Sequence, residues 1–520
     1  RPAPEGADPE DNTEAALGAE IRLNAAGIAA DTAIALPSGR LVMTATQGDI
    51  ALEGGAVIDM AGRATEFFDE TRYSWGGDVV LESAHGDVSL AEGARIDIGA
   101  RHNHAGTLKV TAMEGAVTLA GAINGHATGA QDKPDPELRN GSIDIRAGSI
   151  ADFAGLNTRL TDSGVTDSRS FVIKTGNLAI GDELVARNVT VSADGGSLTV
   201  NGRIDAGGAK PGSIRLSARD DLTLAGSAVL DASADTLWVD SYGAPVEASN
   251  RGFVELTSAG GTLALQQGAT IDLSSADDVA RGQVELNARR VGADDVAIAA
   301  AQALTIKGAD SIAVNAFATY QPAGGIIDQT LMDGIDADSD GFINAAIGNG
   351  ALLDRMAGLR TYADAFHLRP GVELVSAPDG SLSISGDLNL AGYRYASLNA
   401  DMQRSGEYGS GEPGVLLVRA GDDLNIFGSI TDGFAEPART PDDNGWVIYA
   451  GGQNVTTNTW PADYHVPTAM RLGTGAQLPM GAVVGYDIPV NGFNVAANKV
   501  IGAESRLGAA LTLNREWVLT

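Results

Sequence analysis

The chain has 520 residues, of which 67 are glycine and 18 proline, with no cysteine and only 11 Phe, 10 Tyr and 5 Trp. Its 67 Asp and Glu outweigh 35 Lys and Arg, a formal charge of −32, which excludes a grip on a phosphate backbone and disfavours anionic lipid surfaces. The missing cysteines exclude disulfides, thiolate metal sites and thiol nucleophiles, no apolar run is long enough for a membrane helix, and 44% hydrophobic residues that alternate with polar ones argue against disorder. The start Arg1-Pro2-Ala3-Pro4-Glu5-Gly6 is polar and loop-like, without a signal peptide, so a mature chain or a piece of a longer one is expected.

One phrase then recurs along the chain: a glycine followed by about five alternating apolar and polar residues. It opens at Gly39-Arg40-Leu41-Val42-Met43 and returns at Gly77, Gly106, Gly141, Gly212, Gly252, Gly282 and Gly414. A second short alternating run follows it, as in Gly86-Asp87-Val88-Ser89-Leu90, Asp221-Leu222-Thr223-Leu224, Gly261-Thr262-Leu263-Ala264-Leu265 and Gly380-Ser381-Leu382-Ser383-Ile384. A third carries an apolar–Asp signature: Ile58-Asp59, Ile96-Asp97, Ile204-Asp205, Leu230-Asp231 and Ile271-Asp272. Period-2 alternation bounded by Gly, Asn and Asp is a strand signal.

Three short strands repeating in one order, with few hairpin signals between them, describe stacked coils that bury inward Val, Leu, Ile and Ala against the coils above and below. The expected fold is all-β, a right-handed parallel β-helix with a short helical excursion near residues 342–366. Glycine is expected to supply positive φ at the corners. With about 20–25 residues per coil the chain would hold roughly 20 coils and approach ~100 Å. A β-sandwich array, joined by Asn-Gly or Asp-Gly hairpins, is the competing architecture. The expected organisation is solenoid over 1–323, a loop-and-helix excursion over 324–367 with Ala351–Arg360 as an amphipathic helix, and a less regular, more aromatic solenoid over 368–520. Residues 131–139 form a smaller, proline-bearing break.

Several phrases resemble the large exoproteins of the filamentous haemagglutinin type, secreted by two-partner systems of Gram-negative bacteria. They are Tyr73-Ser74-Trp75-Gly76-Gly77-Asp78-Val79-Val80-Leu81, Gly196-Ser197-Leu198-Thr199-Val200-Asn201-Gly202-Arg203-Ile204-Asp205 and Gly308-Ala309-Asp310-Ser311-Ile312-Ala313-Val314-Asn315-Ala316-Phe317. Further on stand Phe366-His367-Leu368-Arg369-Pro370-Gly371-Val372-Glu373, Ala391–Tyr395, Ser410–Val415 and Pro441–Trp446. The resemblance implies a secreted or outer-surface protein acting as adhesin or scaffold, with a glycan or cell-surface receptor, or another copy of itself, as partner. It also implies an outer-membrane secretion partner for the full-length protein. The Asn-Pro-Asn-Gly-type motifs of the family's secretion domain are missing, which points to an internal or C-terminal portion.

Candidate chemistry is sparse. Asp336, Asp338, Asp340, Gly341, Phe342 and Asn344 follow the spacing of a calcium loop through its ninth position, but Ile347 stands where the bidentate acid belongs. The competing reading is a solvated acidic turn. His102, His104 and His126 are the nearest histidine grouping, read as surface turn residues or a weak metal site. The doublets Asp220-Asp221, Asp277-Asp278, Asp294-Asp295, Asp422-Asp423 and Asp442-Asp443 supply carboxylates but no converging acid and base. Tyr393, Tyr395, Tyr408, Trp446, Tyr449, Trp460 and Tyr464 either stack on sugars or pack the less regular end. Binding rather than catalysis is expected, against two alternatives: a calcium-bridged filament subunit and a polysaccharide-degrading β-helix enzyme.

Overall fold

The computed structural model describes residues 17–431, apart from positions 134, 136, 347, 363, 364 and most of 391–411, and beyond 431 only scattered two-residue strands. The chain divides into two compact units, one of Arg1–Leu388 with Gly392–Ser429, the other of Asn389–Ala391 with Ile430–Thr520. In the second, His465–Val466 pairs in parallel with Val483–Val484, whereas Arg471–Leu472 and Trp517–Val518 run antiparallel.

In the first unit each glycine-led phrase becomes a strand of one parallel ladder. Thirteen rungs, from Glu20–Ala25 to Val415–Arg419, stack in order along the chain. This is the broad face of the coils. The second phrase forms short strands beside it, such as Leu198–Val200, Leu222–Leu224 and Leu263–Leu265. The apolar–Asp phrase forms a third face, with Arg203–Asp205, Val229–Asp231 and Thr270–Asp272 in register. Strands hold 47% of the structure and helices 12%, so the protein is mostly β and built on a large parallel sheet, as expected.

Because the rungs are in register, like residues stack into columns. Leu41, Val79, Leu108 and Ile143 form one, and Met43, Leu81, Val110 and Ile145 the next, all with 1% or less of their surface exposed. The column nearest the corner is small: Ala45, Ser83, Ala112 and Ala147. Full burial of each large aliphatic contributes about 1.5–3 kcal/mol.

The corners explain two sequence signatures. In the apolar–Asp phrase the carboxylate of residue i accepts the N–H of i+2: Ala61 to Asp59 (3.1 Å), Gly99 to Asp97 (3.1 Å), Gly207 to Asp205 (3.2 Å), Ser233 to Asp231 (3.0 Å) and Ser274 to Asp272 (3.1 Å). Each is an Asx turn that closes the third corner. At other corners a carboxylate reaches the next coil, as Asp49 does to the Asp87 N–H (2.8 Å) and Asp221 to that of Thr262 (2.7 Å). Much of the negative charge is therefore part of the turning machinery.

Glycine supplies positive φ at corners as expected, for example between the second and third faces at Gly93 (96°) and Gly268 (92°). The glycines that lead the broad-face strands serve another purpose. Gly39, Gly77 and Gly106 stack so closely that a Cβ on Gly77 would enter the Gly39 carbonyl oxygen, and one on Gly106 that of Gly77. Close approach, not backbone handedness, demands glycine there.

The coils are also longer than expected. The rungs starting at Ser168 and Asn188 are one short coil apart, but those at Ala309 and Phe366 enclose a helical insertion. Thirteen rungs at ~4.8 Å therefore extend over about 58 Å within this unit.

Helices interrupt the short faces twice. Helix α1 (Phe153–Asp162) was not anticipated by the sequence reading; Asp152 caps it by accepting the Gly155 N–H, and Phe153, Leu156 and Leu160 point inward. The second interruption falls within the expected 324–367, but its helical part starts before residue 342, with α2 (Gln329–Ala346), then α3 (Gly350–Arg355) and α4 (Ala357–Arg360). Burial of Met332, Ile335, Phe342, Ile343 and Ala346 follows helical spacing.

Candidate functional site

The residues of the expected calcium loop fall on α2. Asp336, Asp338, Asp340, Phe342 and Asn344 all lie inside this helix, whose 3.6-residue turn spreads successive carboxylates around the axis rather than wrapping them about an ion. Asp336 accepts a hydrogen bond from the Tyr395 hydroxyl (2.8 Å), and Asp338 from Arg290 (2.7 Å) and Tyr320 (2.5 Å). Asn344 donates to Asp340 (3.1 Å), and the Phe342 ring lies beneath the Arg290 guanidinium, 4.4 Å from its centroid. Ile347 is outside the described residues. The helix forms because its apolar residues cover the coil, a stronger demand than the turn tendency of Asp-Ser-Asp-Gly.

The other candidates scatter. His102 stacks on Tyr73, with centroids 4.4 Å apart, and the His104 Nδ1 accepts the Arg139 N–H (3.0 Å). Among the described residues no group of three or more His, Cys, Asp or Glu gathers around a common point. Asp220 pairs with Arg219 (3.1 Å) and Asp277 with Arg281 (2.7 Å). Tyr393 donates to Asp333 (3.3 Å) and so, like Tyr395, docks against α2. Tyr408, Trp446, Tyr449, Trp460, Tyr464 and Asp442-Asp443 lie outside the described residues.

What the structure brings together instead is a cleft of mixed polar and apolar lining on the outer side of the broad face. It encloses about 430 Å³ and crosses the rungs at 253–258, 283–288, 311–319, 373 and 415–417. Side chains alternate across a strand, so Val254, Leu256, Val284 and Leu286 enter the core while Phe253, Glu255, Glu285 and Asn287 face outward. Register places Glu285 on Glu255 and Asn315 on Asn287.

These outward groups form a chain of hydrogen bonds. Asn287 Nδ2 donates to Glu255 (2.9 Å) and to Thr257 (3.0 Å); Asn315 Nδ2 donates to Glu285 (2.6 Å) and to Asn287 Oδ1 (2.8 Å). Arg215 stands 3.5 Å from Glu255 and Arg369 3.8 Å from Glu285. Farther along, Glu373 pairs with Arg419 and accepts from Thr319 (2.9 Å). Burial holds the Glu285 carboxyl above the ordinary glutamate range, and the neighbouring Glu255 adds to the rise while Asn315 and Arg369 oppose it.

One atom is left over: Asn315 is 1% exposed, yet its Oδ1 has no hydrogen-bond partner. A buried acceptor without a donor costs about 1–3 kcal/mol. A second cleft of about 720 Å³ shares Ala259, Arg289, Phe317 and Thr319 with the first and continues toward Asp338 and Phe342 of α2.

The glycine-led phrases at Gly252 and Gly282 mark these strands in the sequence, and the outward residues between their apolar positions line the cleft. The signal was present: Gly252-Phe253-Val254-Glu255-Leu256 and Gly282-Gln283-Val284-Glu285-Leu286 place Glu at the same repeat position. In a stacked coil that sets like charges side by side, an arrangement that needs compensation. Compared with family models, with curated proteins and with solved structures, the chain matches none.

Proposed function

We propose that this chain is part of a secreted or cell-surface exoprotein of a Gram-negative bacterium, of the filamentous haemagglutinin type. Its coils form a right-handed parallel β-helix, the hand that parallel crossovers almost always take, and its work is attachment rather than catalysis. The observation that carries this reading is how the polar residues are used. Inward columns are largely apolar, corner carboxylates accept backbone N–H groups, and a cleft of mixed polar and apolar lining opens on the outward side of the broad face. A stack of coils with a recessed cleft on its broad face is suited to presenting a contact for a glycan or cell-surface receptor.

Beads coated with the purified chain test this. Retention on epithelial or bacterial cell layers under flow, well above albumin-coated beads and reduced by glycosidase treatment of the layer, is the expected result. Retention no better than albumin overturns attachment, and release of reducing ends from the layer by the chain alone overturns the non-catalytic half.

A further inference from the structure

We propose that the cleft on the outer side of the broad face binds the C-terminal end of an apolar peptide, with Arg289 receiving the terminal carboxylate. This goes beyond the attachment reading and does not rest on it.

Charge singles out Arg289. The acids along the cleft are already compensated: Arg215 stands by Glu255 (3.5 Å), Arg369 by Glu285 (3.8 Å) and Arg419 by Glu373. In the adjoining cleft Arg290 holds Asp338 (2.7 Å). Arg289 is exposed and lies where the two clefts, of about 430 and 720 Å³, meet. Its Nε donates to the Gly260 carbonyl (2.7 Å), but its two Nη groups have no partner among the described residues. A guanidinium anchored by one bond, with both Nη groups free, offers the planar fork that takes a carboxylate.

Register shapes what lies beyond it. Arg289, Phe317, Gly371 and Val415 occupy one outward column on four successive rungs. Gly371 contributes no side chain, so the Phe317 ring leans into its place; a Cβ there would meet the ring at 2.8 Å. Val415 lies beyond the gap, and Leu417, 42% exposed, stands on the same outward side. The column reads cation, ring, gap, aliphatic over about 14 Å, the length of about four extended residues.

A peptide end supplies both halves, a carboxylate for the fork and apolar side chains for the ring and the gap. Its backbone N–H groups suit the oxygens of Thr319 and Glu373 alongside, which a fatty acid would leave unmatched. One terminal carboxylate fits better than an acidic stretch, because past Arg289 the second cleft runs on to Asp338, with Asp336 and Asp340 on the same helix.

Fluorescein-labelled hexapeptides with the last three positions drawn from Val, Leu, Ile and Phe test this on the whole chain in solution. One pool ends in a free carboxylate, the other in an amide. Anisotropy is expected to show the acid pool binding about tenfold tighter than the amide pool. Arg289→Gln should bring the acid pool down to the amide level, and Arg289→Lys should keep a smaller preference. Val415→Asp, on the outer surface, should weaken the acid pool about tenfold, with the circular dichroism spectrum unchanged in all three variants.

Equal binding of the two pools, an acid preference that survives Arg289→Gln, or silence of both overturns the proposal. Tighter binding of hexaglutamate than of the acid pool also overturns it, by making Arg289 part of a general anion patch. Oleate that displaces the labelled acid pool more strongly than unlabelled pool does would make the ligand a lipid carboxylate and overturn the peptide reading. Bead retention on cell layers is untouched by any of these outcomes, so the two readings fall separately.

Discussion

Helix α1 replaces the short-face strands of its coil, whereas α2 leaves the coil and returns to dock against it. Each is anchored by an arginine with a buried side chain, but the partners differ. Arg169 takes an inward position on its rung, between Ile143 and Val189, and is completely buried. It has no carboxylate partner in its hydrogen-bond set. Its Nε donates to the Val165 carbonyl (2.8 Å), one Nη to the Asn157 carbonyl (3.0 Å) and side chain (3.1 Å), and the other to Thr161 (2.9 Å). Arg290 instead reaches Asp338, whose side chain is 56% exposed, together with Ser339 and the Ala316 carbonyl. A helix put in place of strands leaves backbone groups facing the interior, and a buried donor must satisfy them. A helix docked from outside can share its polar contacts with water.

The largest expected effect follows at Arg169. Burial lowers its pKa to about 10, so it remains charged at neutral pH. Arg169→Ala leaves the Val165 and Asn157 carbonyls short of a donor in a vacated volume, and should cost about 3 kcal/mol or more. Arg169→Met keeps most of the volume and should cost about 2 kcal/mol. Urea unfolding midpoints measure both. A Met variant more stable than the parent would mean that desolvating the guanidinium outweighs its hydrogen bonds, and the contrast between the helices would collapse.

A smaller effect is expected at the other anchor. Arg290→Ala removes the hydrogen bond to Ala316, the contact with the Phe342 ring and an ion pair discounted by exposure. About 1–2 kcal/mol is expected, felt locally. Hydrogen exchange should quicken in residues 329–360 while the rungs at 188–193 and 213–218 keep their protection. Equal loosening of those rungs would show that α2 is as integral to the coil as α1.

The same contrast explains what could be read in advance. Strands such as Leu41–Met43 or Val254–Leu256 were legible because inward burial dictates alternation and the stacked coil repeats it. The apolar–Asp phrase was legible as a pattern, but its Asx-turn meaning needed the i+2 N–H groups to be placed. Helix α1 escaped notice because it is one coil long; Asp152 and the 3- and 4-residue spacing of Phe153, Leu156 and Leu160 were its only signals. In α2 the spacing Asp336, Asp338, Asp340, Gly341 favoured a loop, while the competing evidence lay in Met332, Ile335, Phe342 and Ile343 on either side. The cleft depends on which outward residues share a register, which one linear sequence reveals only after the coils are aligned.

The smallest expected effect separates polar docking from apolar packing at α2. Burial raises the Asp336 carboxyl above the ordinary aspartate range, with Asp340 and Asp333 adding to the rise and the Tyr395 hydroxyl opposing it. The native helix therefore holds a proton that the unfolded chain has released, so this group's contribution to stability falls as pH rises from about 3.9 through the raised value. Tyr395 is raised as well, by its own burial first and by Asp336 second. Its contribution is complete below about pH 10 and is lost only as pH rises beyond the ordinary tyrosine range. Tyr395→Phe should thus cost about 1 kcal/mol at pH 7, where the Asp336 carboxylate loses its donor, and progressively less as acid protonates that carboxylate. Unfolding midpoints of parent and variant at pH 7 and at pH 4 measure the difference. A cost that stays constant across that interval would place Tyr395 among the packing residues of α2, and the distinction from the buried hydrogen bonds of Arg169 would then rest on Arg290 alone.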